Sequence, residues 1–129
     1  IMKPKIIKNK FMIKKENSKI SLKSFDVFHG MIKSTAFVFE KIAYISDCNK
    51  ISDRNLKDLY NLNFLIIDCL KKEKHPSHLS YSDALKLINI LKPKKSILTN
   101  LHTDLDYFKL KQELPKNIIP AYDGLSFNF

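Results

Sequence analysis

The stretch that most limits what this chain can become is Phe64 to Leu70, FLIIDCL, an apolar run interrupted only by Asp68. A run of this kind suits a strand buried on both faces, and such a strand needs covering layers on each side. Its neighbours supply helical periodicity. SDRNLKDLY offers Ser52 or Asp53 as an N-cap with Leu56, Leu59 and Tyr60 at helical spacing. Downstream, Ser80-x-x-Asp83 resembles a capping box and opens a helix whose Ala84, Leu87, Ile88 and Leu91 share one stripe, closed by Pro93.

The remaining segments alternate in the same way. KFMIKK and SKISLK read as short strands with one wet face, and FDVFHG as a strand ending in His29-Gly30. STAFVFEKIAYISD reads as two strands, 35–39 and 42–46, joined tightly at Glu40-Lys41. KSILTN is a further strand, DLDYFKLKQEL a helix ended by Pro115, and NIIP and LSFNF the last strands. Strands and helices alternating at these lengths predict a layered α/β sheet.

A chain of 129 residues, 44% apolar and 28% charged, predicts one globular domain. The net charge of +10 rests almost wholly on lysine, since Lys and Arg together number 23 and only Arg54 is an arginine. Nucleic-acid binding recruits arginine for bidentate phosphate contacts and stacking, so the lysines read first as a solvated surface. A lysine-lined approach to an anionic substrate is the lesser reading. Cys48 and Cys69 form no CxxC or zinc-finger spacing, and no apolar run is long enough to span a membrane. Both cysteines read as small buried hydrophobes in a cytoplasmic protein. Ile1 in place of an initiating Met, with only two glycines, reads as a piece of a longer protein.

The polar residues at predicted strand ends carry the chemistry. His29, Asp47, Asp68, the pair His75 and His78, and the pair Asn100 and His102 all follow strands, and they include all 4 histidines of the chain. Histidine and aspartate are ligand types for Zn²⁺ or Mn²⁺, and in α/β sheets chemistry collects where loops converge beyond strand ends. Each residue alone reads first as a satisfied loop histidine or a turn-capping aspartate, and it is the set that points to a metal.

HG at 29–30, AYISD at 43–47, LIIDCL followed by HPSHLS, ILTNLHTDLDY at 97–107 and PAYDGL at 120–125 occur in an order that resembles metallo-β-lactamase-fold hydrolases. The part resembled is the C-terminal half, and the nearest subgroup is the phosphodiesterase of the phosphonate-degradation operon and its relatives. The resemblance implies half of an αβ/βα sandwich over residues 25–129, with 1–24 a strand-rich N-terminal segment. It implies two divalent ions, Zn²⁺ or Mn²⁺, whose activated hydroxide cleaves a small phosphodiester. On matching positions it implies His29 as a terminal metal ligand, Asp47 as the carboxylate bridging both ions, and His78 as the catalytic histidine beside them.

His75 is then expected to shape the loop or support its neighbours, Asp68 to orient a ligand histidine, and Asp123 to anchor the turn before Gly124. Where relatives place the last ligand, this chain has Asn100, with His102 two residues on. His102 is expected as the ligand and Asn100 as a supporting group. The HxHxDH motif that supplies ligands from the first half is absent from the 129 residues. The chain is therefore expected to be inert alone and to need a companion carrying HxHxDH. The alternative is a non-catalytic domain that binds a partner chain.

Overall fold

A computed structural model describes residues 9–15 and 18–128, so the first eight residues of the predicted N-terminal segment lie outside the described residues. Seven strands form one sheet whose spatial order follows the chain: β1 (Lys10–Lys15), β2 (Ser18–His29), β3 (Ile32–Phe39), β4 (Ile42–Ile45), β5 (Phe64–Asp68), β6 (Lys95–Thr99) and β7 (Ile118–Pro120). β1 to β4 pair antiparallel and β4 to β7 parallel. This mixed sheet with helices bears out the α/β class, and the helices sit where parallel strands need crossovers.

Two expected strands, SKISLK and FDVFHG, are one. β2 runs 12 residues without a break, because it gains β1 as partner over its first half and β3 over most of its length. It passes straight through the expected division between 24 and 25. Its hairpin to β3 turns at Gly30-Met31, where Gly30 takes φ 62°, a conformation cheap for glycine at the first position of a two-residue turn. The β3–β4 turn falls at Glu40-Lys41 as expected.

The first predicted helix is shorter than its pattern: α1 covers Asp53–Leu56 and tightens into a 3₁₀ turn at Lys57–Leu59. α2 (Tyr81–Leu91) starts as the capping pattern required, with the Ser80 hydroxyl accepting from the Asp83 N–H at 3.3 Å and donating to its carboxylate at 2.6 Å. Lys92 closes it in the left-handed region ahead of Pro93. α3 (Tyr107–Glu113) begins later than its apolar pattern because Asp106 caps it, accepting from the Lys109 N–H at 2.9 Å. LSFNF is not a strand over its described residues. The chain turns at Tyr122–Leu125 around Gly124, φ 90°, and leads Phe127 onto Phe64, the rings 4.6 Å apart and nearly parallel.

The register sorts the core by face. Val38, Ala43 and Leu65 lie side by side across β3, β4 and β5, as do Ile45, Ile67 and Leu98 across β4, β5 and β6. These residues meet Leu59, Ala84, Ile88, Leu91 and Leu110 from the helical side in one cluster. The opposite face carries the row Phe37, Tyr44, Ile66, Ile97 and Ile119. None of that row belongs to the main core, and Tyr44 is 40% exposed. The central strand is thus apolar on both faces, as FLIIDCL predicted, with one face closed by helices and the other only partly covered. Among the described residues no helix is long and apolar enough to cross a membrane.

Ile67 is fully buried at the centre of the closed face. Ile67→Ala is expected to cost about 2–5 kcal/mol in a urea unfolding experiment through lost burial and a residual cavity. A loss below about 1 kcal/mol would mean that this face is not the core.

Candidate metal centre

Strand polarity gathers the polar residues on one edge. β2 and β4 are both antiparallel to β3, so they point the same way, and β5 and β6 follow β4 in parallel. The carboxyl ends of all four strands therefore share an edge. His29 and Asp68 are the last residues of β2 and β5, Asp47 stands two residues past β4, and Asn100 directly follows β6.

His29, Asp47 and His78 come together there, each half-buried, with ligand-type atoms all within 4.8 Å of one another. The two rings meet edge to face, centroids 4.6 Å apart. Each imidazole is held through Nδ1. His29 Nδ1 lies 2.9 Å from the Ser77 carbonyl and His78 Nδ1 lies 2.9 Å from Asp68 Oδ2. A carbonyl can only accept, so His29 carries its proton on Nδ1, and the Asp68 carboxylate favours the same tautomer at His78. The lone pair is left on Nε2 in both rings. Two imidazoles held this way beside the Asp47 carboxylate, whose Oδ2 accepts from the Ser46 hydroxyl at 3.2 Å, are donor types that suit a divalent metal ion, with His78, expected as the catalytic histidine, standing where His102 was expected.

Asp68, 0% exposed, is the organiser of the edge. Its Oδ2 accepts from the Cys48 N–H at 3.1 Å, the Leu79 N–H at 3.2 Å and His78 Nδ1. Its Oδ1 accepts from Asn100 Nδ2 at 3.2 Å. Burial pushes its carboxyl above the usual range, and the bonds from Cys48, Asn100 and His78 pull it partly back. Asn100 also donates to the Ser46 carbonyl at 3.3 Å, which fixes its amide orientation, because the flipped oxygen would face two acceptors. Its φ of 64° lies in the left-handed region that asparagine tolerates.

The other predicted residues are spread around this group. His75 stacks obliquely on His78 at 5.2 Å, and its Nδ1 lies 3.2 Å from the Ser77 hydroxyl, inside the HPSH loop. His102 does not join the three. Its ring is turned to Asp104, Nδ1 to Oδ2 3.1 Å, and is half exposed, while its backbone N–H is tied to the Leu70 carbonyl. Asp123 is exposed within the Tyr122–Leu125 turn. Cys48 and Cys69 are free and buried, their thiols pushed up to about 12 by desolvation.

Asn49, not among the residues the sequence pointed to, also serves this edge. Its Oδ1 accepts from the Gly30 N–H and its Nδ2 donates to the Pro76 carbonyl at 2.9 Å, which clips the His29 hairpin to the HPSH loop. The fit is close: a Cβ added at Gly30 would meet the Ser77 Cβ at 3.2 Å. A polar residue two positions beyond a strand-end aspartate was the only available signal.

Comparison with known proteins agrees with this fold. Residues 6–100 match the family described as the beta-lactamase superfamily domain, and the chain belongs to that family. It carries the metallo-β-lactamase fold and resembles the PhnP group. A crystal structure of a diphosphatase from the PhnP family superposes with a TM-score of 0.87 at 26% identity, over 95% of this chain and 47% of that one. The short form of human tRNase Z superposes at 0.66 with 20% identity, over 91% of this chain and 44% of that one. The fold protein YhfI from Bacillus subtilis gives 0.67 at 15% identity, over 82% and 48%. In sequence, the chain is 28% identical over 102 residues to a Porphyromonas gingivalis protein described as octanoyltransferase, 77% of this chain and 20% of that protein. The chain thus spans about half the length of the structures it matches.

Asp68→Asn tests the organiser. The amide offers one oxygen for four donors and sets an NH₂ against one of them, so stability is expected to fall by about 1–3 kcal/mol. Urea denaturation measures this, and an unchanged midpoint would show that the carboxylate does not hold the edge together.

Proposed function

We propose that this chain is the C-terminal half of a metal-dependent phosphodiester hydrolase, completed by a companion segment or chain that carries HxHxDH. The observation that carries the reading is the approach of His29, Asp47 and His78 within 4.8 Å at the shared strand-end edge. The 47% coverage of the PhnP-family diphosphatase and the partly covered sheet face both support a missing half.

In the chain alone, His29, Asp47 and His78 are the donors for one Zn²⁺ or Mn²⁺ ion, a three-ligand set with room for more. When bound, such ions supply Lewis-acid activation of water and of phosphoryl oxygens. Once HxHxDH contributes further donors, His78 Nε2 is free to take up a proton and pass it to the leaving oxygen, while the Asp68 carboxylate at Nδ1 steadies the ring in that role. His102 and Asn100 flank the edge, with Asn100 holding the loops and His102 available to a second ion if its loop turns inward. His75 supports the HPSH loop, and Asp123 shapes the rim. The substrate is a small phosphodiester, and the two free, buried cysteines suit a reducing cytoplasm.

Calorimetric titration of the chain with Zn²⁺ is expected to give one weak site that His29→Ala and Asp47→Asn each weaken at least tenfold. Unaltered binding in both variants would remove the triad from the reading.

Hydrolysis of bis(p-nitrophenyl) phosphate with Mn²⁺ tests the activity. The chain alone is expected to be nearly inactive, and addition of its HxHxDH counterpart to restore chelator-sensitive turnover. Robust chelator-sensitive turnover by the chain alone would refute the need for a second half.

A further inference from the structure

A cleft of about 560 Å³ among the described residues lies apart from the metal edge. It runs along β2 opposite α1 and the following 3₁₀ turn, and its size is that of an ordinary small-ligand site. Phe25, Val27 and Phe28 are among the residues that line it, and of these Phe28 is 42% exposed.

Its charges are unbalanced in a specific way. Both carboxylates that line it are already matched, Asp58 by Lys23 at 2.5 Å and Asp26 by Lys33 at 3.3 Å. Two further cations line it, Arg54 and Lys57, and neither has an ion-pair partner among the described residues. They stand three residues apart in continuous helical turns, which places them on the same side. Asn55, between them, is spent on the Asp26 carbonyl at 2.9 Å and helps hold the turn against β2.

Arg54 is also the chain's single arginine. A guanidinium differs from the surrounding ammonium groups in offering a planar fork that matches phosphate and carboxylate oxygens in pairs. An unmatched fork and an unmatched ammonium on one side, in a cleft whose lining includes the 42% exposed Phe28, define a complementary ligand: an aromatic body bearing a phosphate or carboxylate. We propose that this cleft binds such an aromatic anion, at a site separate from the metal edge and independent of the hydrolase reading.

The test is ¹⁵N chemical-shift titration of the metal-free full chain with phenyl phosphate, inorganic phosphate and phenol. Phenyl phosphate is expected to shift residues 23–28 and 52–58, and to bind at least tenfold more tightly than either fragment. The double variant Arg54→Gln, Lys57→Gln is expected to keep its spectrum dispersion, both side chains being exposed, and to lose at least tenfold in affinity. Absence of shifts in the cleft, shifts confined to His29, Asp47 and His78, or full affinity in the double variant would each overturn the proposal. Equal binding of inorganic phosphate would overturn the aromatic part of it.

Discussion

The edge of this sheet depends on one buried carboxylate. Asp68 is the only acidic side chain with no exposure among the described residues, and a charge in that position persists only if donors surround it. The donors come from the segments that must be fixed for a metal site to exist: the loop after β4 through Cys48, the HPSH loop through His78 and Leu79, and the end of β6 through Asn100. The desolvation penalty of one group is thereby spread over three loops, and the penalty for releasing any of them is an underpaired carboxylate.

His29 is fixed by a different route. It ends a hydrogen-bonded strand, and its hairpin is fastened to the HPSH loop through Asn49 and through its own bond to the Ser77 carbonyl. The loop between β5 and α2 is therefore held from two sides, by Asp68 beneath it and by the hairpin beside it. Two imidazoles on a segment without regular structure can hold one geometry only under such double restraint.

The sheet was legible wherever pattern and turn chemistry agreed. FLIIDCL, the Glu40-Lys41 turn and the Ser80 cap all read correctly because each is decided within a few residues. The failures have tertiary causes. β2 is continuous because strands on both sides pair with it, and LSFNF lies outside the sheet because a turn at Gly124 carries it across the face toward Phe64. At the edge, strand-end placement picked out His29, Asp47, Asp68, His75, His78, Asn100 and His102 together, and only the family resemblance gave His29, Asp47 and His78 separate roles. The choice between Asn100 and His102 could not be read, since it turns on a left-handed backbone at Asn100 and a local partner for His102, Asp104. Asn49 was invisible because its work is entirely between loops.

The strand order β1 to β7 has a consequence for how the chain acquires this site. Every strand pairs with its predecessor in the chain, so the sheet can grow by addition at one side as synthesis proceeds, without waiting for a distant strand to close it. His29, Asp47 and His78 are all present once the HPSH loop has emerged. The clamp on Asp68 is complete only when β6 delivers Asn100, some twenty residues later. An edge that lacked β6 would have its three ligand-type residues over an underpaired buried carboxylate, so the last of the four strands is the one that locks the arrangement.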